Sequence, residues 1–300
     1  MSVSRRDWLR TLLLAGAGAL IPAPVAKAYA ARTADADHER LRLWSYWQGI
    51  ETRRGGWEMP RRTARVGEYA LGTPYQAFTL EAYLRRGGHP GREPLALSLT
   101  RFDCVTFVES SLAIARLVAT GGRGWSGFAR EVERLRYRGG VRDGYLSRLH
   151  YFSEWISDNQ RRGHVRDLGR ELGGVADRRP LRFMTQHPES YPALAWDQTR
   201  REIGQLERRL DGHPRWVIPS DRIPEVEDFI ESGDILAYAT SLAGLDVTHT
   251  GLAWRGPDGV VRVLHAPLSG GVVEITRATL HGYVRGLGTA SGILVARPVL

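Results

Sequence analysis

The 300-residue chain contains one cysteine, Cys104, and one lysine, Lys27. A single cysteine excludes an internal disulfide, which is the usual role of cysteine in an oxidising compartment. The chain also lacks C-x-x-C and H-E-x-x-H, the usual spacings of zinc ligands, and the G-x-S-x-G motif of serine hydrolases. These absences give no reason to expect a metal or another cofactor. They leave a lone thiol as the reactive group to explain.

Because lysine is nearly absent, the formal charge of +9 comes almost entirely from arginine. The arginines are scattered along the chain, often in pairs, and do not form one block with interleaved aromatic residues. A nucleic-acid partner is therefore not expected. A mildly basic surface suits an anionic polymer such as a cell wall or a membrane surface, and it equally fits a solubilising surface from an arginine-biased genome.

Residues 1–30 have the three-part layout of a secretory signal peptide. Arg5 and Arg6 make the start basic, residues 12–21 are apolar, and two A-x-A cleavage candidates end at residues 28 and 30. The apolar run is too short to span a bilayer, and the paired arginines fit a twin-arginine export signal. We therefore expect an exported protein, in a bacterial periplasm, with no integral membrane segment after signal removal and an irregular terminus over residues 31–37.

The order of the hydrophobic patterns predicts an α+β fold with an antiparallel sheet. From Cys104 apolar residues recur at helical spacing, and the pair Thr100 and Asp103 matches a capping pattern, so a helix is expected to begin near residues 101–104. Residues 125–231 indicate mostly short helices. Five segments near the end are rich in β-branched residues and predict strands: 234–240, 249–255, 260–268, 272–276 and 292–299.

The position of Cys104 suggests a reactive thiol. Free N–H groups and the macrodipole at a helix N-terminus stabilise a thiolate, and the preceding Asp103 places the cysteine at an edge of the core. A cysteine nucleophile also requires a general base, and that base requires a third group to orient its ring. The simpler alternative is a buried, inert thiol that packs as a small hydrophobic residue.

Two of the nine histidines are suitable partners. His249 begins one predicted strand and His265 lies near the end of the next. The turn over residues 256–259 makes these strands antiparallel neighbours, which brings the two imidazoles together at one sheet edge. The simpler alternative is a pair of surface histidines on the rim of a sheet.

Four segments resemble, in order, the N-acetylmuramoyl-L-alanine amidase-like family within the NlpC-type papain-like cysteine peptidases. They are LGTPY…TLE (71–81), FDCVTFVESSLA (102–113), SRLHYFSEWISDN (147–159) and GDILAYAT…GLDVTHTGLAW…VLHA (233–266). The resemblance implies an α+β, papain-like (NlpC-type) core in which the nucleophile helix packs on an antiparallel sheet. Residues 31–300 would form a single catalytic domain, with 121–231 as a mainly helical insertion lobe.

By position, the resemblance implies that Cys104 is the nucleophile, His249 the general base and His265 the ring-orienting residue. Asp103 and Tyr75 fall where related enzymes line the substrate cleft. The family's usual DCSG is DCVT here, so its finer subsite details do not transfer to this chain.

The resemblance implies hydrolysis of an amide bond in a peptidoglycan stem peptide, through a thioester intermediate. One candidate bond joins the muramoyl group to L-Ala. Its hydrolysis needs room for a sugar ring, and Tyr151 and Trp155 in the added lobe are candidates to stack on that ring.

The other candidate bond joins γ-D-Glu to the diamino acid, and its hydrolysis would use Asp103 to hold the L-Ala ammonium. We favour the muramoyl–L-Ala bond, because Asp103 is expected to cap its own helix. More distant alternatives are an acyltransferase on lipid, a peptidase on protein, and a non-catalytic cell-wall-binding module.

Overall fold

The computed structural model describes residues 23–267 and 271–300. Residues 1–22 of the predicted export signal lie outside the described residues, and residues 23–30 begin a helix. Of the helices that are described, none is both long enough and apolar enough to cross a membrane.

Ten α-helices are present in the described residues, joined in places by short 3₁₀ turns. They are α1 (Ala23–Gly55), α2 (Met59–Tyr69), α3 (Ala82–Arg85), α4 (Cys104–Ala119), α5 (Gly124–Arg136), α6 (Phe152–Arg161), α7 (Phe183–Gln186), α8 (Asp197–Arg209), α9 (Ile223–Val226) and α10 (Leu280–Gly286).

Eight strands form one sheet, and every pairing in it is antiparallel. They are β1 (Val165–Asp167), β2 (Val175–Asp177), β3 (Arg215–Pro219), β4 (Ile235–Thr240), β5 (Val247–Arg255), β6 (Val261–His265), β7 (Glu274–Ile275) and β8 (Ala290–Pro298). The order across the sheet is β2-β3-β8-β4-β5-β6-β7, and β1 pairs with the end of β8. The predicted α+β class with an antiparallel sheet is confirmed.

The sheet is covered on both faces, which explains why β4 is buried along its whole length. Alternate residues of β4 point to opposite faces. Ile235 and Ala237 join the core under α4, whereas Leu236 and Tyr238 join a second core under α10. The nucleophile helix predicted from the sequence is therefore a buried central helix packed on the sheet.

Two expectations need correction. The segment 121–231 contains three strands besides its helices, and β1 and β3 both pair with β8, so this segment is part of the main sheet. The expected irregular terminus at 31–37 is helical, because it belongs to α1. Asp37 is buried there and accepts a hydrogen bond from the Leu99 backbone N–H at 2.7 Å.

Candidate active site

Cys104 is the first residue of α4, and Asp103 caps that helix. The Asp103 Oδ1 accepts the Thr106 backbone N–H at 2.8 Å, and the Thr106 hydroxyl accepts the Asp103 backbone N–H at 2.9 Å. This reciprocal pair is a capping box. The box is formed by residues 103 and 106, not by Thr100 and Asp103 as the sequence suggested. It fixes the direction in which the chain enters the helix, and therefore the position of the thiol.

The second carboxylate oxygen of Asp103 is also bonded, because the Thr79 hydroxyl donates to Oδ2 at 2.7 Å. Thr79 follows Phe78, a non-glycine residue in the left-handed region with φ of 58°. Such a conformation costs free energy and persists where surrounding contacts hold it. The segment 75–79 is thus tied to the start of α4.

Tyr75 lies on the same segment, and its backbone bridges that of Phe102. Burial, and then the nearby Cys104 and Asp103, raise the pKa of the Tyr75 hydroxyl above its usual value. The hydroxyl therefore remains protonated and able to donate a hydrogen bond at neutral pH. Tyr75 also lines an open cleft of about 620 Å³ with Pro74, Gln76, Thr100, Arg101 and two residues of α1.

His249 and His265 meet as their strands predict. The His249 Nε2 lies 2.7 Å from the His265 Nδ1, and the two rings are nearly perpendicular. Gly251 makes room for this arrangement, since a Cβ at that position would come within 3.0 Å of the His265 Cβ. One imidazole must donate to the other, so the protonation of the pair is linked.

The surroundings of His265 indicate which of its ring nitrogens carries the proton. Its buried Nε2 finds no hydrogen-bond partner in the described residues, and the nearest carboxylate oxygen, Glu274 Oε1, is 3.9 Å away. A proton on Nε2 faces that carboxylate and leaves the His265 Nδ1 as an acceptor. His249 then donates from Nε2, and its Nδ1 carries a free lone pair.

Two tyrosines enclose the histidine pair. The buried Tyr238, opposite His249 on β4, stacks on the His249 ring with centroids 5.6 Å apart. The Tyr283 hydroxyl on α10 lies 3.4 Å from the His265 Nδ1, at the limit of a hydrogen bond. Packing from both sides restricts rotation of the imidazoles. It also buries His265, whereas His249 stays partly exposed.

Burial makes both histidines weak bases. It lowers the pKa of His265 to about 4 and, with repulsion from His265, lowers the pKa of His249 to about 3. Both rings are therefore neutral at pH 7. A resting imidazolium is not available to acidify the thiol.

The thiol itself is less acidic than the sequence suggested. Burial first, and then repulsion from Asp103, raise the pKa of Cys104 to about 11. The Thr250 backbone N–H and hydroxyl lie beside the sulfur and lower the pKa of the thiol, but by less than burial raises it. In the described residues the Thr250 hydroxyl oxygen has no hydrogen-bond partner in good geometry. The expected acidity from the helix N-terminus is thus outweighed by desolvation. Since Thr250 directly follows His249, its contact with the sulfur places the thiol beside the histidine strand.

The structure brings Cys104, Asp103 and Tyr75 together, and it pairs His249 with His265 on the strand whose Thr250 touches the thiol. It does not bring Tyr151 and Trp155 there as exposed aromatics. Trp155 is 1% exposed and packs in the main core, and Tyr151 is 2% exposed and donates its hydroxyl to Glu207. The expectation that they stack on a sugar is wrong, because neither ring face is open.

Sequence reasoning missed four neighbours of the site: Thr79, Tyr238, Thr250 and Tyr283. Tyr238 and Thr250 were detectable in part, because they lie in predicted strands beside His249. Thr79 lies in a segment that resembles the family but gave no sign of its bond to Asp103, and Tyr283 carried no signal, since long-range packing brings both to the site. No group of three or more potential ligands for a metal ion occurs in the part of the chain that the structure describes.

Comparison with known proteins identifies a family. The model of a family described as AmiA-like, N-acetylmuramoyl-L-alanine amidase-like, matches residues 65–290. The chain is similar to the crystal structure of an N-acetylmuramoyl-L-alanine amidase from Bacteroides uniformis, with 30% identity over 81% of this chain and 99% of that chain, and a TM-score of 0.74.

A second structure, from Bacteroides fragilis and named a "putative xylanase", is 33% identical over 77% of this chain and 98% of its own, with a TM-score of 0.70. A protein from Legionella pneumophila shares the fold at 18% identity, over 90% of this chain and 97% of its own, with a TM-score of 0.63. No curated protein matches this chain.

Proposed function

Because the chain belongs to the N-acetylmuramoyl-L-alanine amidase-like family, we propose that it is an exported cysteine amidohydrolase that cleaves the muramoyl–L-Ala amide of peptidoglycan. Cys104 is the nucleophile, His249 the general base and His265 the residue that orients it, in a papain-like core. The main support for this assignment is the 2.7 Å contact between the His249 Nε2 and the His265 Nδ1. This pair lies next to Thr250, which touches the thiol.

The reaction begins with a neutral thiol and a neutral imidazole. The His249 Nδ1 accepts the thiol proton as Cys104 Sγ attacks the lactyl carbonyl carbon, so charge forms only during attack. The His265 Nδ1 accepts the His249 Nε2–H and stabilises the imidazolium that forms. Protonated His249 then donates to the nitrogen of L-Ala as the C–N bond breaks.

A second half-reaction regenerates the enzyme. Water, deprotonated by His249, attacks the thioester and releases the muramoyl carboxylate. The backbone N–H of Cys104 at the start of α4 is suited to stabilise the oxyanion in both halves, since the N–H groups of Thr106 and Phe107 are already bonded to Asp103.

The engagement of Asp103 favours the muramoyl–L-Ala bond. An endopeptidase acting on the γ-D-Glu bond would use this carboxylate to hold the free L-Ala ammonium. Here one oxygen caps α4 and the other accepts from Thr79. The endopeptidase remains the second candidate, because it needs the same nucleophile and base.

We do not propose xylanase activity, although one similar structure is named a "putative xylanase". Glycoside hydrolysis uses a pair of carboxyl groups placed on either side of the scissile bond. The candidate site described above centres on a thiol and two imidazoles, which is the chemistry of acyl transfer.

Defined disaccharide-peptides test the proposal. After digestion with the protein lacking residues 1–30, the newly formed amines are labelled and identified by mass spectrometry. We expect a new amine on L-Ala. A new amine only on the diamino acid, lost in Asp103→Ala, would establish the endopeptidase instead.

A further inference from the structure

The cleft beside Tyr75 has one wall made by α1. Thr33 and Ala36 line it, together with Tyr75 and Arg101. Helix α1 then continues to Gly55, about five turns beyond Ala36. The cleft therefore opens onto the side of a long, straight element, which offers a surface for a substrate that extends past the cleft.

The helix face that reaches the cleft continues with exposed apolar residues. Leu43 and Trp47 follow Ala36 by seven and eleven residues, which places all three within about 40° around the helix axis. Leu43 is 38% exposed and Trp47 is 51% exposed, and the neighbouring Tyr46 is 59% exposed. The adjacent face of α1, where Trp44 and Leu41 lie about 80° and 140° around the helix axis from Ala36, packs in the core.

The two exposed aromatic rings form one unit. The ring centroids of Tyr46 and Trp47 are 5.6 Å apart in an edge-to-face arrangement. The helix holds them about 16 Å from Ala36, at a rise of about 1.5 Å per residue. Large exposed apolar side chains gathered on a rigid element are typical of a binding surface.

Basic side chains flank these rings. Arg42 and Arg53 are exposed on the same helix, and Arg101 lines the cleft. Guanidinium groups suit the carboxylates of peptidoglycan stem peptides. The exposed Asp35 and Glu39 lie nearer the cleft on the same helix, so the cations that are available to the stem-peptide carboxylates are Arg42 and Arg53 beside the rings.

We propose that Leu43, Tyr46 and Trp47, here termed the α1 track, bind the glycan strand of peptidoglycan that leads into the cleft. The proposal rests on the proposed function, since it places the polymer around the same scissile bond. Sugar rings present C–H groups on their faces and hydroxyls at their rims, which suits a small cluster of exposed aromatic rings on a polar helix. An interfacial membrane helix would instead need a strongly apolar face opposite a charged one.

The track predicts a difference between two substrates. Tyr46→Ala/Trp47→Ala should lower kcat/KM on purified peptidoglycan sacculi by about tenfold, a factor that corresponds to the loss of a modest contact free energy. Hydrolysis of a soluble single disaccharide-peptide, which ends within the cleft, should stay within about twofold of the unmodified protein. Phe229→Ala is the control, because Phe229 is equally exposed but lies outside the track.

Each outcome of this comparison decides the proposal. Equal losses on both substrates, or an unchanged rate on sacculi, would overturn it. Cosedimentation of Cys104→Ala protein with sacculi measures binding without turnover, and adding the two track substitutions should weaken that binding. If the unmodified protein cleaves neither substrate, the proposed function fails while the binding result still tests the track. If the variant with the two track substitutions still binds sacculi but no longer binds anionic phospholipid vesicles, the track binds a membrane instead. If it still binds sacculi but no longer self-associates, the track binds a second copy of the protein.

Discussion

At the residue scale, the proposed mechanism depends on two imidazoles. His249 directly precedes Thr250, the strand residue that touches the thiol. The His249 Nε2 lies 2.7 Å from the His265 Nδ1. His265 is buried and held by Tyr283, Gly251 and the strand pairing. If His249 transfers protons and His265 only orients it, substitutions of the two residues should lower kcat by different amounts.

His249→Ala should reduce kcat more than His265→Ala. No other group replaces a lost base, whereas water in the space left by His265 can accept part of the hydrogen bond from His249. His265→Asn, which retains a polar acceptor, should recover part of the loss in kcat with little change in KM. The reverse order of kcat values in steady-state assays would exchange the two roles.

The thiol of the free protein should react slowly at neutral pH. Because burial raises the pKa of Cys104 to about 11, the thiolate fraction is small at pH 7 and grows as pH rises toward that value. The rate of alkylation by iodoacetamide should therefore increase about tenfold per pH unit from about pH 7 to pH 10. With a single cysteine in the chain, intact mass reports on this site alone. A rate that is already constant at pH 6–8 would instead show a resting thiolate–imidazolium pair.

At the scale of elements, the start of α4 links stability with activity. Asp103→Ala removes the capping box, which should cost about 1 kcal/mol of unfolding free energy. It also releases Thr79 and the segment that carries Tyr75, so kcat/KM should fall as well.

Asp177→Ala is the matched control for this prediction. The Asp177 carboxylate accepts the Arg179 backbone N–H at 2.9 Å, and it lies on β2, at the edge of the sheet away from the candidate active site. It should lower the urea midpoint by a similar amount while leaving kcat/KM nearly unchanged. Equal losses of activity in the two variants would mean that Asp103 acts only through global stability.

The elements differ in how well the sequence predicted them, and the reasons are physical. β4, β5 and β6 are buried and rich in β-branched residues, so local patterns identified them and the turn between β5 and β6 brought the histidines together. β1 and β2 have three residues each and β3 has five, with charged residues such as Arg166 and Asp177. Their strand conformation depends on pairing with distant partners, which no local pattern records.

The candidate site was predictable in its reactive groups and not in their environment. Cys104, His249 and His265 stood out by scarcity, helix position and hairpin geometry. The pKa of the thiol depends on its burial and on the nearby Asp103 carboxylate, and the effect of burial is a property of packing. For the same reason Tyr151 and Trp155, polar-ended aromatics in a charged segment, were expected at the surface but are buried in two separate cores.

At the scale of the whole molecule, one sheet joins the residues of the site. α4 presents the thiol from one face, while His249, His265 and Tyr283 approach from the side of the second core. The segment 121–231 closes the sheet through β3 and β1 on β8. The helix α1 extends the cleft outward, so the proposed catalytic residues are combined with the proposed polymer-binding surface of the α1 track.

The most direct test of the central proposal is the mass of the acyl group that Cys104 carries during turnover. The protein is mixed with a defined disaccharide-peptide, quenched in acid within milliseconds to seconds, and weighed intact, with Cys104→Ala as the control. We predict a thioester whose added mass equals the disaccharide with its lactyl acyl group and no amino acid, and no adduct or product from the control. An adduct that includes L-Ala and γ-D-Glu, or product formation by Cys104→Ala, would contradict the proposal.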